Sequence, residues 1–291
     1  MGYRPSPRPS FDAPTVIRAA DAVRHTWGDE ESGFVEDWIY VSSQRIHVIV
    51  FALPSGAVFR HSESFRTVFA ADELLHVLQG TLLLANPETG EVARAESGES
   101  LFFRRDTWHH GFSYGEDELR VLEFFAPPPA TGTSGAYAQT KPYLTESKYA
   151  DDRLLGGLAR PIRPASIHTL RPADSVWRLD RGALVGLLMS TEHLTVGTIR
   201  VLPGRTSIEE SHAGDEFVYA TNGELQVSAD GIAAVLAPGD GFSIPAGTPH
   251  AYTAAGDEFA EAIFGVAPAY AAMEGVRLEQ KIADEAGHCV S

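Results

Sequence analysis

The chain has 291 residues, 44% of them hydrophobic, and a formal net charge of −16. That length suits one large domain or two ordinary ones, and the acidic balance argues against nucleic acid and anionic membrane as partners, since both need basic surface. No run of about 18 apolar residues exists to span a membrane, and the single cysteine, Cys289, leaves neither a disulfide framework nor a thiolate metal site.

Residues 1–35 begin Pro-rich and continue mixed and polar, which reads as an arm packed on a body. The opening lacks the apolar core of a signal peptide, so a cytoplasmic protein is expected. Its Met-Gly-x3-Ser start fits a myristoylation pattern too short to carry weight. From Trp38 the sequence becomes strand-like: "WIYVSS", "RIHVIVFALPSG", "ELLHVLQGTLLLANPETGE", "SLFFRRDTWHHGF" and "ELRVLEFFAPP". Short β-branched and aromatic runs between Gly and Asn-Pro turns are the pattern of a sandwich or barrel. They predict a first all-β domain over 36–128. "PPPATGTSGAYAQTKP" breaks the pattern and opens a linker over 129–175, where "ESKYADDRLLGGLA" predicts a short helix. Strands resume at Val176, giving a second domain over 176–268 and a tail over 269–291.

The second domain carries the candidate chemistry. Glu210 and His212 lie two apart, so on a strand both side chains share a face. Glu216 opens the next apolar run after the turn residues "AGD", and His250 follows Pro-Ala-Gly-Thr-Pro, a second reversal. Two imidazoles and two carboxylates converging inside one barrel would suit a divalent metal ion.

The stretch reads Gly204-x5-Glu210-x-His212-x3-Glu216-x6-Gly223, then Gly239-x5-Pro245-x-Gly247-x2-His250. This resembles the two motifs of the cupin superfamily, whose first is Gly-x5-His-x-His-x3,4-Glu-x6-Gly and whose second ends in His-x3-Asn. The resemblance implies a jelly-roll barrel and puts His212, Glu216 and His250 on metal-ligand positions. Glu210 stands where the family has its first His, and Ala254 where it has the final Asn. Glu210 changes the ligand type without abolishing the site, and is also placed to act as the catalytic base. Fold alone does not name a reaction.

The halves repeat. Glu73-x6-Gly80 matches Glu216-x6-Gly223 at an offset of 143, and Gly98-x10-His109 matches Gly239-x10-His250 at an offset of 141. Near-equal offsets argue for tandem duplication, so the chain resembles a bicupin: all-β, two tandem jelly-roll barrels with an N-terminal arm and a short, partly helical linker. The first copy is degraded. Phe69 holds the place of His212, and Arg104-Arg105-Asp106 replaces the Pro-x-Gly turn. His61, Glu63, Glu73 and His109 form a possible second metal site with a longer loop; the alternative is a barrel that kept its fold and lost its metal. Arg104 and Arg105 suit either an anion or a plain strand end. His76 and His110 should face away from the cavity, and His47 and His193 read as structural histidines in apolar strands.

Two imidazoles with one or two carboxylates suit Fe, Mn, Ni, Co or Zn. A face of two His and one carboxylate is the oxygen-activating arrangement of non-haem iron, and a redox-inert ion there would act as a Lewis acid. The expectation is a metal-dependent dioxygenase acting on a small oxygenated organic substrate in the C-terminal barrel, possible as a homo-oligomer. Two alternatives stay open. One is a redox-neutral isomerase, lyase or aminohydrolase, the last through a partial likeness to ureidoglycine aminohydrolases from which Glu216 and His250 depart. The other is a non-catalytic barrel that binds a sugar or small metabolite.

Overall fold

The computed structural model describes residues 7–60, 62, 68–128, 147–150, 164–180, 182–268 and 270. Among them the chain is nearly all β, with strands β1 to β21 and 3-10 turns at Lys148–Ala150 and Pro172–Asp174. It divides into two compact units. One comprises Met1–Pro9 and Val23–Ala173, the other Ser10–Ala22 and Asp174–Ser291.

In the first unit a seven-stranded sheet runs in the order β12 (Ile167–Leu170), β9 (Ser100–Phe103), β6 (Asp72–Gln79), β11 (Leu119–Ala126), β4 (His47–Leu53), β3 (Gly33–Ser42), β2 (Val23–Asp29). A four-stranded sheet completes the barrel: β5 (Val58–Phe59), β10 (His110–Ser113), β7 (Thr81–Ala85), β8 (Val92–Glu96). The second unit repeats the plan. Its large sheet is β1 (Thr15–Ile17), β19 (Gly241–Ile244), β16 (Asp215–Asn222), β21 (Ala260–Ala267), β15 (Thr195–Val201), β14 (Ala183–Ser190), β13 (Val176–Asp180). Its small sheet is β18 (Ile232–Leu236), β17 (Leu225–Ala229), β20 (His250–Ala254). The named strands pair antiparallel throughout, as short strands joined by tight turns require. Both barrels are jelly rolls.

Period-two patterning fills the interiors. In the second barrel Leu225 and Val227 of β17, Phe242 and Ile244 of β19, and Phe264 and Val266 of β21 share one apolar core. In the first, Leu75 and Val77 of β6, Leu101 and Phe103 of β9, and Val121 and Phe125 of β11 do the same. Each such side chain removed from water stabilises by about 1.5–3 kcal/mol. The turn before β20 needs a left-handed residue. Gly247 supplies it at φ +78°, and in the first barrel Asp106 takes the equivalent place at φ +67°.

One edge strand of each large sheet is a segment expected outside the two barrel domains. Thr15–Ile17, expected in the arm, pairs with β19, and Arg18 and the Ala19 amide bond the Asp240 carboxylate at 2.6 and 3.0 Å. Ile167–Leu170, expected in the linker, pairs with β9, its start fixed by the Glu91 carboxylate on the Ser166 and Ile167 amides. The sequence "VRHTWGD" was likewise expected in the arm, yet forms strand β2 of the first barrel; its polar side chains mask the strand period. Of the expected linker helix, only Lys148–Ala150 falls among the described residues, as a 3-10 turn.

Candidate metal centre

Glu216 is the second residue of β16, in the interior of the large sheet, opposite Ile244 on one side and Val266 on the other. His250 opens β20. The segment before β16 runs beside β20, and Glu210 and His250 exchange both backbone hydrogen bonds, at 3.0 and 2.9 Å. Directly opposed residues of an antiparallel pair point to one face, so Glu210 stands next to His250, and His212, two residues on, joins them. Gly214 then lets the chain pass close to β21: a Cβ there would lie 2.4 Å from the Ala267 carbonyl oxygen. The fold thus brings together all four residues expected there.

Ligand atoms of Glu210, His212 and His250 lie within 4.8 Å of one another. Glu216 is closer still to the imidazoles: its Oε2 is 3.2 Å from His212 Nε2 and 3.0 Å from His250 Nε2. His212, Glu216 and His250 are buried, and these three atoms form no hydrogen bond of acceptable geometry. Their other polar atoms are committed. His212 Nδ1 meets the Tyr270 carbonyl and His250 Nδ1 the Thr248 carbonyl at 2.9 Å. Since a carbonyl only accepts, each Nδ1 carries the proton and each neutral ring turns a lone pair on Nε2 toward Glu216. Tyr252 donates its phenol to Glu216 Oε1 at 2.5 Å.

Two lone pairs facing a carboxylate repel unless a proton or a cation lies among them. Without a cation the proton serves. Burial alone would lower His250, but Glu216 pushes it up to about 9. Burial alone would raise Glu216, but the imidazoles of His250 and His212 hold it well below the ordinary carboxylate range. Burial and the Glu216 charge keep the Tyr252 phenol protonated as a donor. Orphaned, buried nitrogen and oxygen donors with outer partners on the far side of each ring are what a divalent transition ion requires. The residues present fit such an ion.

Three further residues frame the centre. Tyr252, two after His250 on β20, could have been read from the strand period. Arg178 of β13 turns inward, with Nη2 3.3 Å from Glu210 Oε2 and 3.4 Å from Tyr270 Oη. Tyr270 stacks on His212 with centroids 4.5 Å apart and planes at 22°. It lies in the expected tail, and nothing in the sequence marks it.

In the first barrel His61 and Glu63 lie outside the described residues. Glu73 and His109 do meet, at 4.0 Å, and His109 Nδ1 is held by the Thr107 carbonyl as His250 is by Thr248. Aromatic rings fill the rest: Phe59, Phe69 and Phe103 all pack on His109. Glu73 has Glu123 beside it, and burial together with that second carboxyl pushes both well above their ordinary range. Among the described residues no group here converges as Glu210, His212 and His250 do. Arg104, considered for an anion, instead bonds the buried Asp72 at 3.0 Å. His76 bonds Ser100 and His110 bonds Tyr149, both turned from the cavity as expected. His47 is buried against Phe125, and burial pushes it down to about 3.

Residues 197–266 match the family model of the cupin domain. No curated protein matches the chain in sequence. Among solved structures, a single-residue variant of the oxalate decarboxylase OxdC of Bacillus subtilis superposes with a TM-score of 0.64 at 13% identity, over 91% of this chain and 80% of that one. The putative glyoxylate induced protein of Pseudomonas aeruginosa superposes with a TM-score of 0.64 at 14% identity, over 96% of both chains. Protein Ylba of E. coli gives 0.63 at 8% identity, over 91% of this chain and 93% of that one. At such identities these likenesses speak for the fold. The domain match identifies a cupin domain over residues 197–266, and the fold of two tandem barrels is one that these solved structures share.

Proposed function

We propose that the protein is a metal-dependent enzyme acting on a small oxygenated organic molecule in its C-terminal barrel, and that the activity is that of a dioxygenase. His212, Glu216 and His250 would hold one divalent ion of Fe, Mn, Ni, Co or Zn. The observation that carries this reading is the trio of buried, unpartnered atoms, His212 Nε2, Glu216 Oε2 and His250 Nε2. Such atoms cost free energy when left unmet, and no core-packing role explains three of them together. A bound ion there would supply Lewis acidity and, as iron, a place for oxygen.

The chain's own groups do the rest. Tyr252 orients Glu216 by donating to Oε1, and the Thr248 and Tyr270 carbonyls fix both ring tautomers. Glu210, drawn toward Arg178, is a carboxylate beside the centre and the residue we assign to proton transfer with substrate. Its position also favours a second reading, redox-neutral chemistry in which Glu210 is the base and no oxygen is consumed; the likeness to an oxalate decarboxylase is compatible with that class.

Metal content of protein purified without chelator, beside turnover of candidate substrates with and without oxygen, tests both. About one equivalent of metal and oxygen-dependent turnover is expected. Equal anaerobic turnover selects the second reading, and failure to take up any of the five ions overturns the metal assignment.

A further inference from the structure

Tyr252 and Tyr270 both bring a phenol to the centre, and they differ in what the hydroxyl proton meets. Tyr252 donates its proton to Glu216 Oε1. Tyr270 is buried at 7% exposure, and among the described residues its hydroxyl has one partner, Arg178 Nη2 at 3.4 Å. A guanidinium only donates, so the phenol oxygen accepts there and its own proton is left for another acceptor. A buried donor without an acceptor costs free energy. This one is also held in place. The His212 imidazole stacks on the Tyr270 ring at 4.5 Å and 22°, the Phe264 ring stacks on it at 5.8 Å and 24°, and the Tyr270 carbonyl takes His212 Nδ1. A hydroxyl that accepts from a cation is the stronger donor, because hydrogen bonds in a chain polarise one another.

Arg178 Nη2 also donates to Glu210 Oε2 at 3.3 Å, so the Tyr270 hydroxyl and the carboxylate assigned to proton transfer flank one guanidinium. The first barrel supplies a contrast. Counting back by the offset of 141 puts Pro268 on Pro127 and Tyr270 on Pro129, a residue with no hydroxyl, in the barrel where no metal group converges among the described residues. Resting on the reading above, we propose that Tyr270 is a hydrogen-bond donor to the substrate, and that the substrate is a hydroxy or carbonyl compound able to form an oxyanion. The substrate proton passes to the Glu210 carboxylate, and the electron pair stays on the substrate as the oxyanion. Tyr270 keeps its own proton and donates a hydrogen bond to that oxygen. A donor fixed in advance where negative charge develops stabilises it more than water does, since nothing has to reorient.

The test is calorimetric titration of the zinc-loaded protein with acetohydroxamate and with imidazole, for wild type and Tyr270→Phe, with metal content measured on the same samples. Acetohydroxamate offers a metal ion an oxyanion; imidazole bound through one nitrogen has only an N–H left, which accepts nothing. The variant keeps the ring, the stacks and the carbonyl. It should bind acetohydroxamate about 10-fold or more weakly, with imidazole affinity and metal content unchanged. Should the variant not fold, the near-ultraviolet tyrosine difference spectrum of wild type decides: a perturbation by acetohydroxamate and not by imidazole supports the donor, and equal spectra for the two ligands overturn it. Unchanged acetohydroxamate affinity in the variant, equal losses for both ligands, or no binding of acetohydroxamate to zinc-loaded wild type also overturns the proposal. Absence of zinc from wild type would instead overturn the metal reading on which it rests.

Discussion

Glu73 and Glu216 occupy the same place in the two barrels, each the second residue of an interior eight-residue strand of the large sheet. Around Glu216 stand two imidazoles and a phenol. Around Glu73 one imidazole, His109, stands among the described residues. Phe69 holds the place of His212, and Gly111 that of Tyr252, its missing side chain covered by the Phe59 ring, which a Cβ would strike at 2.1 Å. Glu123, opposite Leu75, holds the place of Phe264, opposite Val218. One carboxyl is therefore shifted toward its ionised form by the imidazoles, and the other toward its protonated form by burial and a second carboxyl. The carboxylate alone does not make a metal site; the surrounding bases and their outer hydrogen bonds do.

The largest effect expected from this contrast is on metal content. His250→Ala or His212→Ala should weaken metal binding by more than about 100-fold and leave a folded barrel, whereas His109→Ala should leave the stoichiometry unchanged. Elemental mass spectrometry with circular dichroism reads both. A loss of metal from His109→Ala would break the comparison by giving the first barrel a working site. Tyr252→Phe removes only the donor to Glu216 Oε1 and should cost about 10-fold in metal affinity, measured by competition with a chromophoric chelator.

A smaller effect, of opposite sign in the two barrels, should follow pH in the metal-free protein. Glu216 titrates in the fold below its ordinary 4.5, so its contribution to stability is present above that pH and lost as acid protonates it. Glu73 and Glu123 titrate in the fold above 4.5, so theirs is present in full below that pH and lost as pH rises. Amide hydrogen exchange at pH 3, 5 and 7 should show the second barrel loosening only below pH 4.5, where the raised His250 is already fully charged, and the first loosening toward neutrality. Glu73→Gln, which mimics the protonated acid, should stabilise the first barrel at pH 7 by about 1 kcal/mol and remove its pH dependence. A destabilised first barrel in that variant would mean that Glu73 is ionised and has a cationic partner.

The motif glycines and Pro245 made the second barrel legible in the sequence, because left-handed turns admit few residues and their spacing sets the strand lengths. The same spacing picked out Glu216 and His250, which stand at the start of strands, and Glu210 and His212, which lie in the segment before β16 where Glu210 pairs with His250. Residues that reach the centre through tertiary structure were not legible. Arg178 sits in an edge strand whose other face is exposed Trp177 and Leu179, and Tyr270 follows the last strand with no period to continue. Strands β1, β2 and β12 escaped notice for a related reason: their side chains are short of apolar period, and their partners lie far away in sequence.

Strand β1 has a consequence for how the molecule comes into being. Arg18 and Asp240, which fasten β1 beside β19, stand 222 residues apart. The β1 segment has to stay unpaired until the chain as far as β19 has been made, a loop closure that slows folding without weakening the finished barrel. Until then the edge of β19, the strand next to Glu216, is open to pairing with another chain. A C-terminal half cut out at Asp174 would keep every proposed ligand and lose the strand that closes this edge.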